Sequence, residues 1–552
     1  MGKFINRNLI VTSVLVLVPL IPQPVFGNDN IVWTITELSP DARTQYDLQS
    51  NGNTNYIVQN PTNPMNMHAC FMVATDPDPW NTRNTRYFYT TDGGTTWNYR
   101  GTVTTSRSGF PCLTMTTDGR AIILTHSSDG GGNLRTQIYI DSAPGAGLWS
   151  RFNPPGEDGF WPDAAFDRGS SKILFLFSRI GLVYNVCSSP PGACLGYGSI
   201  PNSAAAGQYA CAINNDGSKY GIAYLTTWET TAGCRYIEST DDGVTWSSPV
   251  NVWTWNSADS LGTYRNVDLV YQGSVPKVVF GVGKVIPATN EFDPGAPSKM
   301  MLWSPNTNGG IPVVVDSSAG LTGSNPQNDG FFSVTRGVVG ISNEFNFLFI
   351  AYNKARSDTS AEGNNFFDVW FRYSTNSGMT WSTKTQLTNN PVITPLKDCR
   401  YPSISPTNHS FFGIYQYAHI IVQADTVPGS NVNGAPPSIA KMLYIKVQIS
   451  EPMPGVRQIS SEIPAHYWLS QNFPNPFNPA TKIRFALPKN SDVSINIYEI
   501  TGRLVTVLVQ NEHAGAGLYE TDFNAENLAS GIYYYSIMAG DFKETKKMVL
   551  IK

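Results

Sequence analysis

The sequence predicts an all-β protein: a large body built from a repeated pair of strands, followed by a small antiparallel sandwich. Three observations carry this. Charged residues make up 14% of the 552 and aromatics 12%, with 48 glycines and 38 prolines. That mix is too turn-rich for helical bundles and too aromatic for a disordered chain. An apolar–turn–apolar unit recurs before residue 450, and beyond residue 468 the pattern shortens to alternating runs split by Pro, Gly and Asn. The net charge of -4 gives no global pull toward nucleic acid or an anionic membrane.

Residues 1–27 read as a secretory signal peptide. Lys3 and Arg7 start it, Leu9 to Ile21 is its apolar run, and Val25-Phe26-Gly27 precedes the expected cut before Asn28. The run is short for a membrane span and ends among Pro19, Pro22 and Pro24, so no span is expected in the mature chain. Seven cysteines follow, an odd number, so at least one is unpaired within the chain. Cys187 and Cys194 flank a short Pro-containing loop and suit a local staple. No cysteine pair has zinc spacing and only six histidines occur, so no metal site is expected.

Residues 28–450 form the repeat. Its seven turns fall near residues 63, 118, 168, 216, 272, 343 and 408, a mean step of about 58 residues. The second run of each copy is continuously apolar, as in Ile173-Leu-Phe-Leu-Phe177, which suits a strand buried on both faces. The last copy's second run is read at Phe411 to Tyr415. Four-stranded blades with loop insertions fit this period, so the expectation is a seven-bladed β-propeller, with six blades the rival count. The run from Asn30 to Leu38 precedes the first copy and is expected to complete the last blade beside Leu443 to Ile449. Residues 451–468, with Pro452, Pro454 and Pro464, read as a linker.

A second marker is Thr90-Thr-Asp-Gly-Gly-Thr-Thr-Trp97, repeated at Ser239 to Trp246 and, with Asn376 in place of the Asp, at Ser374 to Trp381. It resembles the Asp-box, or BNR repeat, of sialidase-like β-propellers. In such a hairpin Asp92, Asp241 and Asn376 accept turn N–H groups, and Gly94, Gly243 and Gly378 take the left-handed position. Trp97, Trp246 and Trp381 pack between sheets. These residues are therefore structural rather than catalytic. The resemblance to sialidases implies three arginines for a carboxylate, a Tyr–Glu nucleophile pair and an acid/base Asp. No ordered triad can be assigned here, and the nearest string to the family's Arg-Ile-Pro motif, Arg179-Ile-Gly181, lies after the third copy's apolar run.

Residues 469–552 open with Leu-Ser-Gln-Asn-Phe-Pro-Asn-Pro-Phe-Asn-Pro. Alternating runs follow at Lys482 to Leu487, Val493 to Tyr498, Leu504 to Val509, Gly531 to Ile537 and Lys546 to Lys552, an Ig-like sandwich pattern. The segment resembles the type A C-terminal sorting domain of the type IX secretion system, through Asn472, Pro474, Asn475, Pro476, Phe477, Gly502, Tyr533 and Lys547 among others. The resemblance implies a secreted or cell-surface protein, exported across the outer membrane, with the secretion machinery as a partner.

Propellers hold ligands at the mouth of the central channel, near the starts of the innermost strands. The residues placed there are Arg107 with Phe110, Trp161 with Asp163, Tyr209, Tyr264 with Arg265 and Asp268, and Arg400 with Tyr401. Aromatic faces beside guanidinium and carboxylate groups suit a glycan or another extracellular polymer. Oxygen-rich insertions at Lys284 to Lys299, Lys354 to Asp368 and Gln423 to Lys441 are candidates for structural calcium, with no cofactor otherwise expected. No GxSxG, HExxH or P-loop string occurs, and no catalytic residue can be named. The first functional reading is therefore a glycan- or polymer-binding propeller. A sialidase-like glycoside hydrolase is the alternative, and a structural surface protein the second alternative.

Overall fold

The computed structural model describes residues 25–26, 31–47, 49, 55–128, 134–153, 159–179, 181–189, 192–203, 208–226, 232–286, 291–321, 332–342, 347–388, 398–409, 415–449, 456–460, 462–525 and 528–552. Of the expected signal peptide, residues 1–24 and 27 lie outside these. Val25–Phe26 pairs with Val32 and Trp33.

Seven sheets follow one another along the described chain, antiparallel except where Ile341 and Ser342 pair in parallel with Thr407 and Asn408. Sheet I holds Ile57–Gln59, Met67–Val73, Asn84–Thr90 and Asn98–Thr102. Sheets II to VI start at Ser108–Met115, Phe160–Asp167, Tyr209–Ile213, Leu261–Gln272 and Val334–Ser342. Sheet VII holds Asp398–Ile404, Gln416–Asp425 and Lys441–Ile449, and its outer strand is Ile31–Glu37. The register runs from Ile31 opposite Ile449 to Glu37 opposite Leu443, so the start of the body completes its last sheet as the sequence predicts. This pairing covers an edge that would otherwise lie open.

The first strand of each sheet contacts the first strand of the next, and that of sheet VII contacts sheet I. Each junction has its own apolar cluster. Leu113 and Tyr87 meet between sheets I and II, Ile420 and Phe349 between VI and VII, and Ile421 and Phe71 between VII and I. The ring therefore closes on itself, and the fold is a β-propeller. Its second strands, such as Lys172–Arg179 and Ala121–Ser128, are buried on both faces, which explains their unbroken apolar runs. The last copy departs from expectation: its second strand is Gln416–Asp425, and of Phe411 to Tyr415 all but Tyr415 lie outside the described residues. The later run Ala418-His-Ile-Ile-Val422 is the one that packs against both neighbouring sheets.

The three marked hairpins join the third and fourth strands of sheets I, IV and VI. Asp92 accepts from the Thr96 amide at 2.9 Å and its hydroxyl at 2.6 Å. Asp241 accepts the same pair from Thr245 at 2.8 and 2.6 Å. Asn376 accepts the Thr380 amide at 2.9 Å and donates to its hydroxyl at 2.8 Å. Gly94, Gly243 and Gly378 sit at φ of 83°, 81° and 89°. A Cβ on each would strike the preceding sheet, at Tyr444, Val186 and Leu302 respectively. A lysine of that preceding sheet also reaches the residue after the Asp or Asn. Lys446 donates to the Gly93 carbonyl at 3.2 Å, Lys172 to the Asp242 carboxylate at 2.6 Å, and Lys277 to the Ser377 carbonyl at 3.0 Å. The hairpin is thus a clamp between sheets, not only a turn.

Cys187 and Cys194 form a disulfide, as their loop suggests, and Cys70, Cys112, Cys211, Cys234 and Cys399 are free and buried. After the ring, two four-stranded sheets share one core in which Ile483, Phe485 and Phe523 of one face Val493, Ile495 and Ile537 of the other. Val456–Ser460, inside the stretch read as linker, is an edge strand here, paired with Gly517–Asn524. The Pro-rich opening is held down: the Asn472 amide donates to the Tyr535 hydroxyl at 2.8 Å, and the Val549 amide to the Asn475 side chain at 2.9 Å.

Candidate functional site at the channel mouth

Five of the seven first strands begin with the same irregularity. Each pairs normally, skips two or three residues, and then resumes in shifted register: between Gly109 and Cys112, Phe160 and Asp163, Thr263 and Val267, Thr335 and Val338, and Arg400 and Ser403. Inside each bulge one non-glycine residue is left-handed: Phe110 (φ 51°), Trp161 (54°), Arg265 (47°), Arg336 (52°) and Tyr401 (54°). Bulky residues rarely adopt this conformation, and each instance costs on the order of 1 kcal/mol or more. Pro111, Pro162 and Pro402 follow three of them, which fits a strand that must leave its ladder at that point.

The bulges aim side chains toward the axis. Phe110 of sheet II and Tyr401 of sheet VII, which are not neighbouring sheets, share a cluster with Tyr46, Met72 and Phe367, and Trp80 and Trp161 pack onto it. Phe110 stands edge-on to Trp161, with ring centres 6.3 Å apart. Arg83 lies over the rings of Tyr46 (4.9 Å) and Phe110 (5.6 Å) and donates to the Ser108 carbonyl at 2.9 Å. The Trp161 amide donates to His126 Nδ1 at 3.3 Å, so that nitrogen is the unprotonated one. Burial, reinforced by the charges of Arg83 and Arg107, drives the His126 pKa down to about 3, so the ring is neutral. The indole N–H groups of Trp80 and Trp161 are buried and have no partner among the described residues. Such donors are costly unless something else accepts from them.

The predicted residues divide into three groups. Trp161 and Tyr401 meet at the mouth, and Arg107 is exposed beside them, close enough for its charge to act on His126 and Tyr46. Tyr264 and Arg265 stand apart, in a cluster with Phe292 and Phe332, where the Arg265 guanidinium lies 5.2 Å above the Tyr264 ring. Asp163, Asp268 and Arg400 are not open at the mouth but buried in the joints between strands. Asp163 accepts the Cys211 amide of sheet IV at 2.8 Å and the Cys112 thiol of sheet II at 3.2 Å. Asp268 accepts the Val339 amide of sheet VI at 2.7 Å. Burial raises their pKa values to about 6 and about 7. Arg400 pairs with Asp398 at 2.5 Å and covers the Phe367 ring at 4.6 Å. A carboxylate placed before a buried strand is as good a cross-sheet acceptor as a ligand group, and only position along the strand separates the two.

Sequence reasoning missed Arg336, Tyr46, Trp80, Arg83 and His126. Arg336 had a signal, because Thr335-Arg-Gly337 aligns with Gly109-Phe-Pro111 ahead of its apolar run. The others come from connecting segments and second strands, where no repeat marks them. Toward the other end of the first strands lies a cavity of about 100 Å³, lined by Leu113, Phe166, Ile213, Val270 and Thr407 among others. Among the described residues, no group of three or more His, Cys, Asp or Glu side chains could hold a metal ion.

A closed ring of bulged sheets with an aromatic, cationic mouth, carrying a two-sheet tail, defines the class as a β-propeller with an appended sandwich. Residues 471–552 match the family described as the secretion system C-terminal sorting domain. The protein is therefore cargo of the type IX machinery, bound for the cell surface or the extracellular space. No curated protein matches the chain. Among solved structures it is similar to a protein of unknown function from Dyadobacter fermentans, with 11% identity, 75% of this chain and 99% of that chain covered, and a TM-score of 0.34. It is also similar to a mutant Trypanosoma rangeli sialidase displaying trans-sialidase activity (10%, 94% and 90%, TM-score 0.33). A third is the α-L-arabinofuranosidase of Podospora anserina in complex with cellotriose (10%, 62% and 90%, TM-score 0.30). Likenesses this distant carry no functional conclusion. Among the described residues no helix is long and apolar enough to cross a membrane.

Proposed function

We propose that this chain is an exported seven-bladed propeller of the Asp-box kind, with an Ig-like sorting domain, that binds a glycan or a similar extracellular polymer at the channel mouth. One observation carries the reading: a left-handed bulge at the mouth holds Trp161, half-buried, on the buried cluster of Phe110 and Tyr401, with Arg107 exposed beside it. Strain of this kind concentrates where a side chain must be aimed rather than packed. The half-buried Trp161 ring would take the apolar side of a sugar ring, and the exposed Arg107 guanidinium would supply donors for its oxygens. Hydrolysis gains no support from the burial of Asp163 and Asp268, because a glycosidase acid must reach the glycosidic oxygen.

A glycan and polysaccharide array, followed by titration of the best ligand, tests the reading. Trp161→Ala should weaken binding by about tenfold or more, as loss of a central aromatic anchor does, and Arg107→Ala by less. Release of sugars from the bound polymer, or binding unaffected by Trp161→Ala, would overturn it.

A further inference from the structure

A second cavity lies away from the mouth, between sheets III and IV. Its volume is about 430 Å³, and its walls include Tyr184, Tyr224, Arg235, Trp246, Ile200 and Ile237. Tyr184 and Trp246 stand edge to face, ring centres 5.2 Å apart, forming an aromatic corner. Tyr224 is 3% exposed and lines the cavity, and its hydroxyl makes no hydrogen bond to another described residue. Arg235 spends only Nη1, on the Asn251 side chain and on the Trp253 and Cys234 carbonyls. It makes no ion pair among the described residues, and the cavity lining contains no Asp or Glu.

These facts fix the chemistry of an occupant. An apolar, aromatic corner of this size takes one or two rings. A tyrosine hydroxyl and a half-buried guanidinium without a carboxylate partner share this wall, so together they suit an acceptor, and the charge favours an anionic one. We propose that the cleft between sheets III and IV is a binding site for a small ring-bearing carboxylate, the carboxylate taken by Arg235 and Tyr224 and the ring by Tyr184 and Trp246. Both a uronic acid residue at a polymer end and a free aromatic acid have this chemistry. The site is separate from the channel mouth, so it stands whether or not the mouth binds a glycan.

The test titrates the full chain with D-glucuronate, benzoate and D-glucose by calorimetry. At least one carboxylate should saturate in the millimolar range or tighter, with glucose at least about tenfold weaker. Saturation by glucuronate alone would assign the site to uronates, by benzoate alone to aromatic acids, and by both to the shared ring and carboxylate. Tyr224→Phe removes a hydroxyl that bonds to no protein group, so the unfolding midpoint should stay put while affinity falls about three- to tenfold. Arg235→Gln should erase the preference for carboxylate over glucose. The proposal fails if neither carboxylate saturates, if glucose binds equally well, or if Tyr224→Phe binds as the parent does.

Discussion

The rim hairpins and the channel mouth place backbone strain on opposite kinds of residue. In the hairpins every strained position falls on a glycine or a short polar residue, such as Gly243 and Asp242, and the Asp92 and Asp241 carboxylates are satisfied by their own turns. At the mouth the left-handed positions fall on Phe, Trp, Tyr and Arg. Buried indole N–H groups go unanswered among the described residues in both places, on Trp97, Trp246 and Trp381 in the hairpins and on Trp80 and Trp161 at the mouth. Local choices agree with the fold at the rim and conflict with it at the mouth. Such conflict is expected where a surface is shaped for something outside the chain. Between the two lies a third regime, the joints of the first strands, where Asp163, Asp268 and the Asp398–Arg400 pair hold sheet to sheet. The distinction between joint and mouth is where the sequence misleads, and it can be tested.

The largest effect belongs to the joint. Arg400→Met leaves Asp398 buried without its partner and should cost about 3–5 kcal/mol in denaturant unfolding. Arg107→Met, exposed beside the mouth, should cost no more than about 1 kcal/mol. Equal losses at the two positions would erase the line between joint and mouth. Adding Asp398→Asn to Arg400→Met should recover part of the loss, because the stranded charge is then gone.

Next in size is the response to pH. Asp163 and Asp268 have folded pKa values raised by burial to about 6 and about 7, above the ordinary aspartate value that the unfolded chain has. The folded state then holds protons that the unfolded state has released. Their contribution is fully present below about pH 4 and is lost as pH rises toward 6 to 7. Each should account for roughly 1–3 kcal/mol across that window. Asp163→Asn with Asp268→Asn keeps an oxygen to accept the Cys211 and Val339 amides but does not titrate. Unfolding free energies of parent and double variant, measured from pH 4 to pH 7, should therefore diverge, the parent falling relative to the variant. Parallel curves would mean that both carboxylates are already ionised and solvated, as mouth residues would be.

Much of the fold was legible because burial on both faces writes unbroken apolar runs, and those runs locate the second strands of most sheets. The hairpin marker was legible where its spacing is tight. A fourth copy escaped notice: Asp141 accepts the Gly147 and Leu148 amides at 3.0 Å each, Gly145 lies against Tyr89 of the preceding sheet, and Trp149 packs on Tyr87. The chemistry is the same, but the wider spacing hides it. The strand Gly517–Asn524 was missed because Glu520 and Asp522 break its apolar look, although Glu520 is buried beneath Lys482 and Arg484, each 2.8 Å away. At the mouth, sequence located the starts of the first strands but could not tell Trp161 from Asp163. Two residues along a bulged strand, Trp161 packs on the mouth cluster while Asp163 bonds to the neighbouring sheets, and the proline after the bulge residue marks the bulge but not which way each side chain turns.

The smallest effect tests the hairpins themselves. Asn376 stands where the other two marked copies have Asp, and it reverses one bond: its amide donates to Thr380, whereas Asp241 accepts from Thr245. The amide satisfies the same geometry with neutral bonds, and charge-assisted bonds are the stronger kind. Asn376→Asp should therefore stabilise the chain by a few tenths to about 1 kcal/mol, and Asp241→Asn should destabilise it by a similar amount. Lys277 sharpens the expectation. It reaches the Ser377 carbonyl from sheet V and has no carboxylate partner among its hydrogen bonds, and burial depresses its pKa to about 8. A carboxylate introduced at 376 would add an attractive charge near that amine and hold more of it protonated. The gain should shrink in Lys277→Met. If the gain is the same with and without Lys277, the hairpin acts as a turn alone, and the clamp between sheets is geometric rather than electrostatic.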